Sequence, residues 1–332
     1  MVIPCRRLAG FLLVGIPAIT ADVASVRGVD TQYYKDSGQV LTRQLLHRSA
    51  VEHVAARLQN LLLQNGRRAF GEEEGQKEVR FTFAVHELDA KVASFVHNRT
   101  GELWQAAAQL AGTKELCVLM DRGFSKDPGD PETHWHRDDE AIGVHRVHPE
   151  LRTVHAWIPL RAMGREMGTL QYLVGTHRRV FGWLENFLAS MWGWEFAWFM
   201  TASKVQDDGL EVGDVAWHDG WVLHSAGANS GRAVRDGLAV SFAFCNGPDG
   251  CAGSAAPISA VNTTCRITEW LFDSEWRARH REGENDYAKN LIQEPFLHQA
   301  ARFVWRSVVG GAGGLFVHWI VVNGCCSKRK EA

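Results

Sequence analysis

Thr133-His134-Trp135-His136-Arg137-Asp138 sets a histidine and a carboxylate two residues apart inside a short run of β-type residues. On an extended backbone, side chains two apart share a face, so His136 and Asp138 point together while Trp135 and Arg137 point away. A neutral imidazole and a carboxylate supply two of the three ligands of a facial metal triad. Alone, His-x-Asp arises by chance, and a third ligand must come from far along the chain. Downstream, Gly213-Asp214 opens a strand, and after Trp217-His218-Asp219-Gly220 comes His224, with Asn229 five and Arg235 eleven residues beyond it. A histidine on a late strand completes the ligand set, and an arginine on the next strand can hold a carboxylate with a bidentate fork. Rivals stay open: His134, His145, His148, His155, His177 and His218 lie in or near the same region, His218-Asp219 can replace part of the triad, and Arg232 competes with Arg235.

The segments around these residues read as strands. Glu115 to Met120, Thr153 to Leu160, Thr169 to Val174, Gly213 to Trp217 and Gly237 to Phe244 are short β-type runs bounded by Gly, Pro or Asp. Before Gly112 the pattern is helical: Val51, Val54, Ala55, Leu58, Leu61 and Leu62 recur at three and four with Gly66 as a stop, and Leu88 to Val96 and Leu103 to Leu110 repeat it. The expected fold is mainly β with flanking helices. Between Val180 and Met200, Trp183, Phe187, Trp192, Trp194, Phe196, Trp198 and Phe199 make either core packing or a wall over an apolar pocket.

With these blocks in order, the chain resembles the phytanoyl-CoA dioxygenase family of iron(II)- and 2-oxoglutarate-dependent oxygenases. The resemblance rests on Trp135 to Asp138, Ala156-Trp157-Ile158-Pro159-Leu160, Gly168-Thr169-Leu170 closing on Val174-Gly175-Thr176-His177, the Gly213-Asp214 turn, and His224-Ser225-Ala226-Gly227-Ala228-Asn229 through Arg235. Gly10-Phe11-Leu12-Leu13-Val14 also looks like the family's first strand, so the similarity spans about residues 10 to 247. It implies a double-stranded β-helix, a cupin-like jelly roll, with iron on His136, Asp138 and His224. Arg235 would bind the distal carboxylate of 2-oxoglutarate, with Trp157 nearby. Oxidative decarboxylation of 2-oxoglutarate by O2 would yield succinate and CO2 and hydroxylate a C–H bond. Asp138 favours an oxygenase, because related halogenases carry a small residue there. Met167 and Val174 depart from the family's usual Asn and Pro, and residues 248–332 match nothing recognisable.

Composition narrows the partners. The chain has 332 residues, 45% hydrophobic and 22% charged, so it can bury a sizeable core. Lys+Arg of 36 against Asp+Glu of 38 leaves a formal charge of -2, without the positive field a nucleic-acid binder uses. Seven scattered cysteines with no Cys-x-x-Cys favour a reduced intracellular compartment, with the cytoplasm expected. The basic start at Arg6-Arg7 and the apolar run Leu8 to Ala21 also fit a signal peptide, although Pro17 interrupts the run and a strand is the preferred reading. Asn98 and Asn262 begin Asn-x-Thr matches, patterns that mean little without a secretory signal. Near the other end, Ser307 to Cys326 is apolar enough for weak membrane contact, but Gly310, Gly311, Gly313 and Gly314 interrupt it and it is too short in its apolar part to span.

The expected activity is hydroxylation of a small apolar molecule, the apolar character resting on the Trp-rich stretch. Two other classes compete: a non-catalytic jelly-roll binding protein, which an intact triad argues against, and a metal-dependent jelly-roll enzyme that does not use 2-oxoglutarate. Substrate, pathway and oligomeric state are not legible in the sequence.

Overall fold

A computed structural model describes residues 25–65, 67–69, 79–142, 151–178, 202–245 and the strand pairs 260–261 and 264–265. The readings of 10–14, 180–200 and 307–326 lie outside the described residues. The helical periodicity before Gly112 is realised as α1 (Thr31–Ser37), α2 (Arg48–Asn65), α3 (Val85–Leu88), α4 (Ala90–Val96) and α5 (Glu102–Ala111). What reads as one helix over Leu88 to Val96 is divided at Asp89, whose side chain caps α4 by accepting from the Lys91 and Val92 amides.

The strands are β1 (Gln39–Thr42), β2 (Arg67–Ala69), β3 (Val79–Phe83), β4 (Cys117–Lys126), β5 (Thr133–His136), β6 (Leu151–Pro159), β7 (Leu170–Leu173), β8 (Lys204–Gln206), β9 (Val215–Asp219), β10 (His224–Ala226), β11 (Arg235–Cys245), β12 (Ala260–Val261) and β13 (Thr264–Cys265). They form two mostly antiparallel sheets. The larger runs β1-β9-β6-β11-β4-β13-β12, with β3 added to β4 and β2 to β3, and the smaller runs β5-β10-β7-β8. This is the expected jelly-roll arrangement, and the sequence-distant neighbours β6, β9 and β11 lie at its centre. The jelly roll's first described strand is β1, which the sequence reading missed; it pairs antiparallel with β9, Gln39 against His218 and Thr42 against Val215.

Alternation along the large sheet separates two environments. Val154, Ala156 and Ile158 of β6, Val215 and Trp217 of β9, and Leu238, Val240 and Phe242 of β11 face the helices and join Val51, Val54 and Leu58 of α2 and Leu103, Trp104 and Ala107 of α5 in one core. The intervening residues face inward, toward the smaller sheet. There they include His155 and Trp157, His218, and Arg235 and Ser241, brought side by side by registers that pair His155 with both His218 and Ser241. On β4, Arg122, Phe124 and Lys126 line the same interior, and Lys126 lies opposite Arg235. One face is a dry core and the other the wall of a site, because side chains reverse at every residue. At Gly237 an added Cβ would meet the Trp157 ring at 2.4 Å, so this strand position must be glycine for the indole to lie across it.

The cysteines are not all thiols. Cys117 of β4 and Cys265 of β13, both buried, form a disulfide across 148 residues of sequence, and Cys245 is also disulfide-bonded. This runs against the reduced state that the scattered cysteines suggest. Their spacing conceals a pairing that only the parallel contact of β13 with β4 creates. The strand pair β12–β13 also attaches part of the C-terminal extension to the sheet edge. Among the described residues, no helix is long and apolar enough to cross a membrane.

Candidate functional site

His136 ends β5, His224 begins β10, and the two are register partners in the smaller sheet. Asp138 does not share an extended strand with His136, as the two-residue spacing suggests. It starts a short helix, α6 (Asp138–Ile142), and the turn of chain at Arg137 brings its carboxylate back to the ring. The His136 Nε2 lies 3.5 Å from Asp138 Oδ1, the His224 Nε2 lies 3.9 Å from Oδ2, and the two imidazole centroids are 4.2 Å apart. Ligand atoms of all three residues fall within 4.8 Å of one another.

The ring orientations suit a metal. His136 Nδ1 donates to the His134 carbonyl at 2.7 Å and His224 Nδ1 to the Val222 carbonyl at 3.1 Å. A carbonyl only accepts, so each Nδ1 carries the proton and each Nε2 presents its lone pair to the cluster. Asp138 Oδ1 is buried and makes no hydrogen bond among the described residues, as expected of an atom whose partner is a cation. Burial, with His136 and His218 close by, pushes the His224 imidazole well below its ordinary value and keeps it neutral, the form that ligates. For Asp138, burial alone would raise the carboxyl. The charges of His155 and Arg122, with His136 and His218 close by, outweigh it and hold the group well below the usual carboxylate range. Two imidazoles and an ionised carboxylate, all aimed at one point, fit iron(II).

Asp138 Oδ2 is held from behind by His155 Nδ1 at 3.1 Å, His218 Nε2 at 3.3 Å and Arg122 at 3.4 Å. Asp138, His155 and His218 are also close enough to hold a metal. However, both His155 nitrogens are occupied, Nδ1 by Ser241 Oγ at 2.8 Å and Nε2 by Thr153 Oγ1 at 2.5 Å. His218 has no carbonyl fixing its tautomer: its Nδ1 is buried without a hydrogen bond among the described residues. The geometry therefore favours His224 over His218. Of the other rivals, His134 is exposed beside Glu132, His177 turns to the Lys35 carbonyl, and His145 and His148 lie outside the described residues.

Arg235 is buried, and its guanidinium stacks on Trp157 with 4.5 Å from Cζ to the ring centroid. Among the described residues its side chain forms no hydrogen bond or ion pair, and Nε is fully buried without a partner. Burial lowers it to about 10, although Tyr172 and Asp207 act in the other direction. Asp207 is itself spoken for: it accepts from the Tyr172 hydroxyl at 3.1 Å, and burial raises its carboxyl to about 7. Arg232, the competing anchor, is exposed. Asn229 builds the approach to Arg235, its side-chain amide donating to the Lys126 and Ala233 carbonyls at 2.9 Å each.

Sequence reasoning missed Lys126, which is buried beside Arg235 and donates to the Ala226 and Gly227 carbonyls at 3.3 and 2.9 Å. Burial, then the charge of Arg235, pushes its ammonium well below the ordinary value. The available signal was Arg122-x-Phe124-x-Lys126, period-two residues extending a strand expected to end at Met120. One cavity joins the metal-ligand cluster to Arg235, Lys126 and Trp157, with Phe81, Phe83, Phe124 and Leu170 as apolar walls.

Solved structures share this fold. The carbocyclase SnoK from nogalamycin biosynthesis aligns over 70% of this chain and 90% of its own, at 23% identity and TM-score 0.55. The epimerase SnoN from nogalamycin biosynthesis aligns over 71% and 93%, at 17% identity and TM-score 0.53. EctD from S. alaskensis with bound Fe aligns over 67% and 77%, at 19% identity and TM-score 0.53. Among curated protein sequences no match is found. The family model for phytanoyl-CoA dioxygenase (PhyH) matches residues 34–237, which include the His136, Asp138 and His224 cluster, Lys126, Trp157 and Arg235, and the chain belongs to this family of iron(II)- and 2-oxoglutarate-dependent oxygenases.

Proposed function

We propose that this chain hydroxylates a small, apolar, lipid- or terpenoid-like molecule, using iron(II) held by His136, Asp138 and His224. The cosubstrate 2-oxoglutarate would be anchored by Arg235, with Trp157 beneath its guanidinium. The observation that carries the reading is the buried Arg235 side chain, which lacks an acidic partner yet shares a cavity with the metal-ligand cluster. An unpaired buried cation is costly, and a carboxylate arriving from solution removes the cost.

Each residue then has a task. His136 and His224 present fixed Nε2 lone pairs, and Asp138 supplies the anionic ligand, kept ionised by Arg122 and His155. Arg235 offers a planar fork to the distal carboxylate, and Lys126 adds a second cation beside it. Trp157 fixes the plane of the fork and excludes water from its face. Iron(II) with 2-oxoglutarate and O2 supplies the oxidising power for C–H hydroxylation, releasing succinate and CO2. Phe81, Phe83 and Phe124 support an apolar substrate, since they line the cavity without adding a donor or acceptor. The catalytic unit is assigned to residues 10–247, with 248–332 as an extension.

Anaerobic titration with iron(II) and 2-oxoglutarate, followed by visible absorption, tests this directly. A charge-transfer band is expected in the wild type. Its absence in folded protein would return the chain to the binding-protein alternative. A band that forms identically without Arg235 would favour an enzyme with a different cosubstrate.

A further inference from the structure

We infer that Asn98 is an N-linked glycosylation site and that this chain matures in an oxidising secretory lumen. The inference is independent of the catalytic reading and starts from Asn98-Arg99-Thr100, which joins α4 to α5. All three residues are exposed. Asn98 Oδ1 accepts from the Thr100 hydroxyl at 2.9 Å and from the Thr100 amide at 3.2 Å. This Asx turn spans only three residues, so a nascent chain can form it before the rest of the fold exists. The hydroxyl donor on the amide oxygen makes the Nδ2 protons more acidic, and the turn occupies Oδ1 while Nδ2 of the exposed Asn98 makes no hydrogen bond among the described residues. An added Cβ at Gly101 would meet Nδ2 at 2.9 Å, so the glycine keeps space beside the acceptor atom. Arg99 is drawn aside, 5.4 Å from the Trp104 ring centroid.

A pattern of this kind is common by chance, and the second observation is the redox state. The Cys117–Cys265 bond is buried and Cys245 is also bonded, a pattern that persists in secreted and lumenal proteins and is rare where glutathione keeps thiols reduced.

The chemistry balances with two external reagents. Nδ2 forms a bond to C1 of the reducing-end sugar of an oligosaccharide carried on a lipid diphosphate. The C1–O bond breaks, the lipid diphosphate departs with that electron pair, and one Nδ2 proton passes to a base on the transferase. The disulfides form as the thiols pass two electrons and two protons per bond to the disulfide of a thiol oxidoreductase.

The test expresses the full chain in a eukaryotic cell. Peptide mapping follows peptide:N-glycosidase treatment, and free thiols are alkylated before reduction. The expected result is conversion of residue 98 to aspartate in the wild type and in T100S, with loss of the modification in T100A. Asn98→Gln, made in an Asn262→Gln background, should abolish the glycosidase-induced mobility shift and leave iron and 2-oxoglutarate binding unchanged. Cys117 and Cys265 should resist alkylation until reduced. An unmodified Asn98 in chains whose Cys117 and Cys265 are oxidised would overturn the glycan site. Ready alkylation of both cysteines in chains recovered from the cytosol would overturn the whole inference.

Discussion

Arg235→Ala is expected to weaken 2-oxoglutarate binding while leaving the cosubstrate-free protein about as stable as the wild type. Burial lowers the guanidinium to about 10, a penalty of roughly 3 kcal/mol on the charged form. A carboxylate entering the cavity recovers that penalty. Truncating one partner of such a buried pair costs about 2–5 kcal/mol, or roughly 30-fold to 4,000-fold in dissociation constant. The unliganded protein tells a different story: the side chain makes no hydrogen bond or ion pair among the described residues, so its removal forfeits only the stacking on Trp157. Arg235→Lys keeps a charge but loses the fork and the stack, and should fall between alanine and wild type. The assay is the anaerobic charge-transfer titration, paired with thermal melting in the absence of cosubstrate. Unchanged 2-oxoglutarate affinity in Arg235→Ala, or a large drop in melting temperature without cosubstrate, would refute the reasoning, the second because it would make Arg235 a structural residue.

Three further outcomes follow from the same geometry. Asp138→Ala removes the carboxylate proposed as the anionic ligand and should abolish the charge-transfer band and 2-oxoglutarate turnover; wild-type rates in iron-replete buffer would discount Asp138 as a ligand. His155→Ala should weaken iron(II) binding by about 10–100-fold, the usual cost of losing a residue that orients a metal ligand, measured by competition with a colorimetric chelator. Asp207 is raised from 3.8 to about 7 in the folded protein, so its contribution to stability is complete below pH ~4 and is lost as pH rises toward ~7. Asp207→Asn should flatten that slope by a few kcal/mol in denaturant melts between those pH values, and an unchanged slope would discount the buried carboxyl.

Much of the fold is written in local patterns of the chain. Val51, Val54, Leu58 and Leu62 announce a helix because a 3.6-residue period admits no strand, and the β-type runs after Gly112 announce the sheets. His136, Asp138, His224 and Arg235 were legible because the local motifs around them are short and ordered along the chain. The tertiary structure decided the rest. Alternation separates the faces of β4 and β6 without saying which face encloses a cavity, so Arg122, Lys126 and His155 gain their meaning only from neighbours on β9, β10 and β11. Asp138 reaches His136 through a helical turn and not along a strand, a local path that residue spacing cannot distinguish. The Cys117–Cys265 bond joins residues 148 apart through a parallel edge contact, and no spacing rule reports a contact made by chain folding alone.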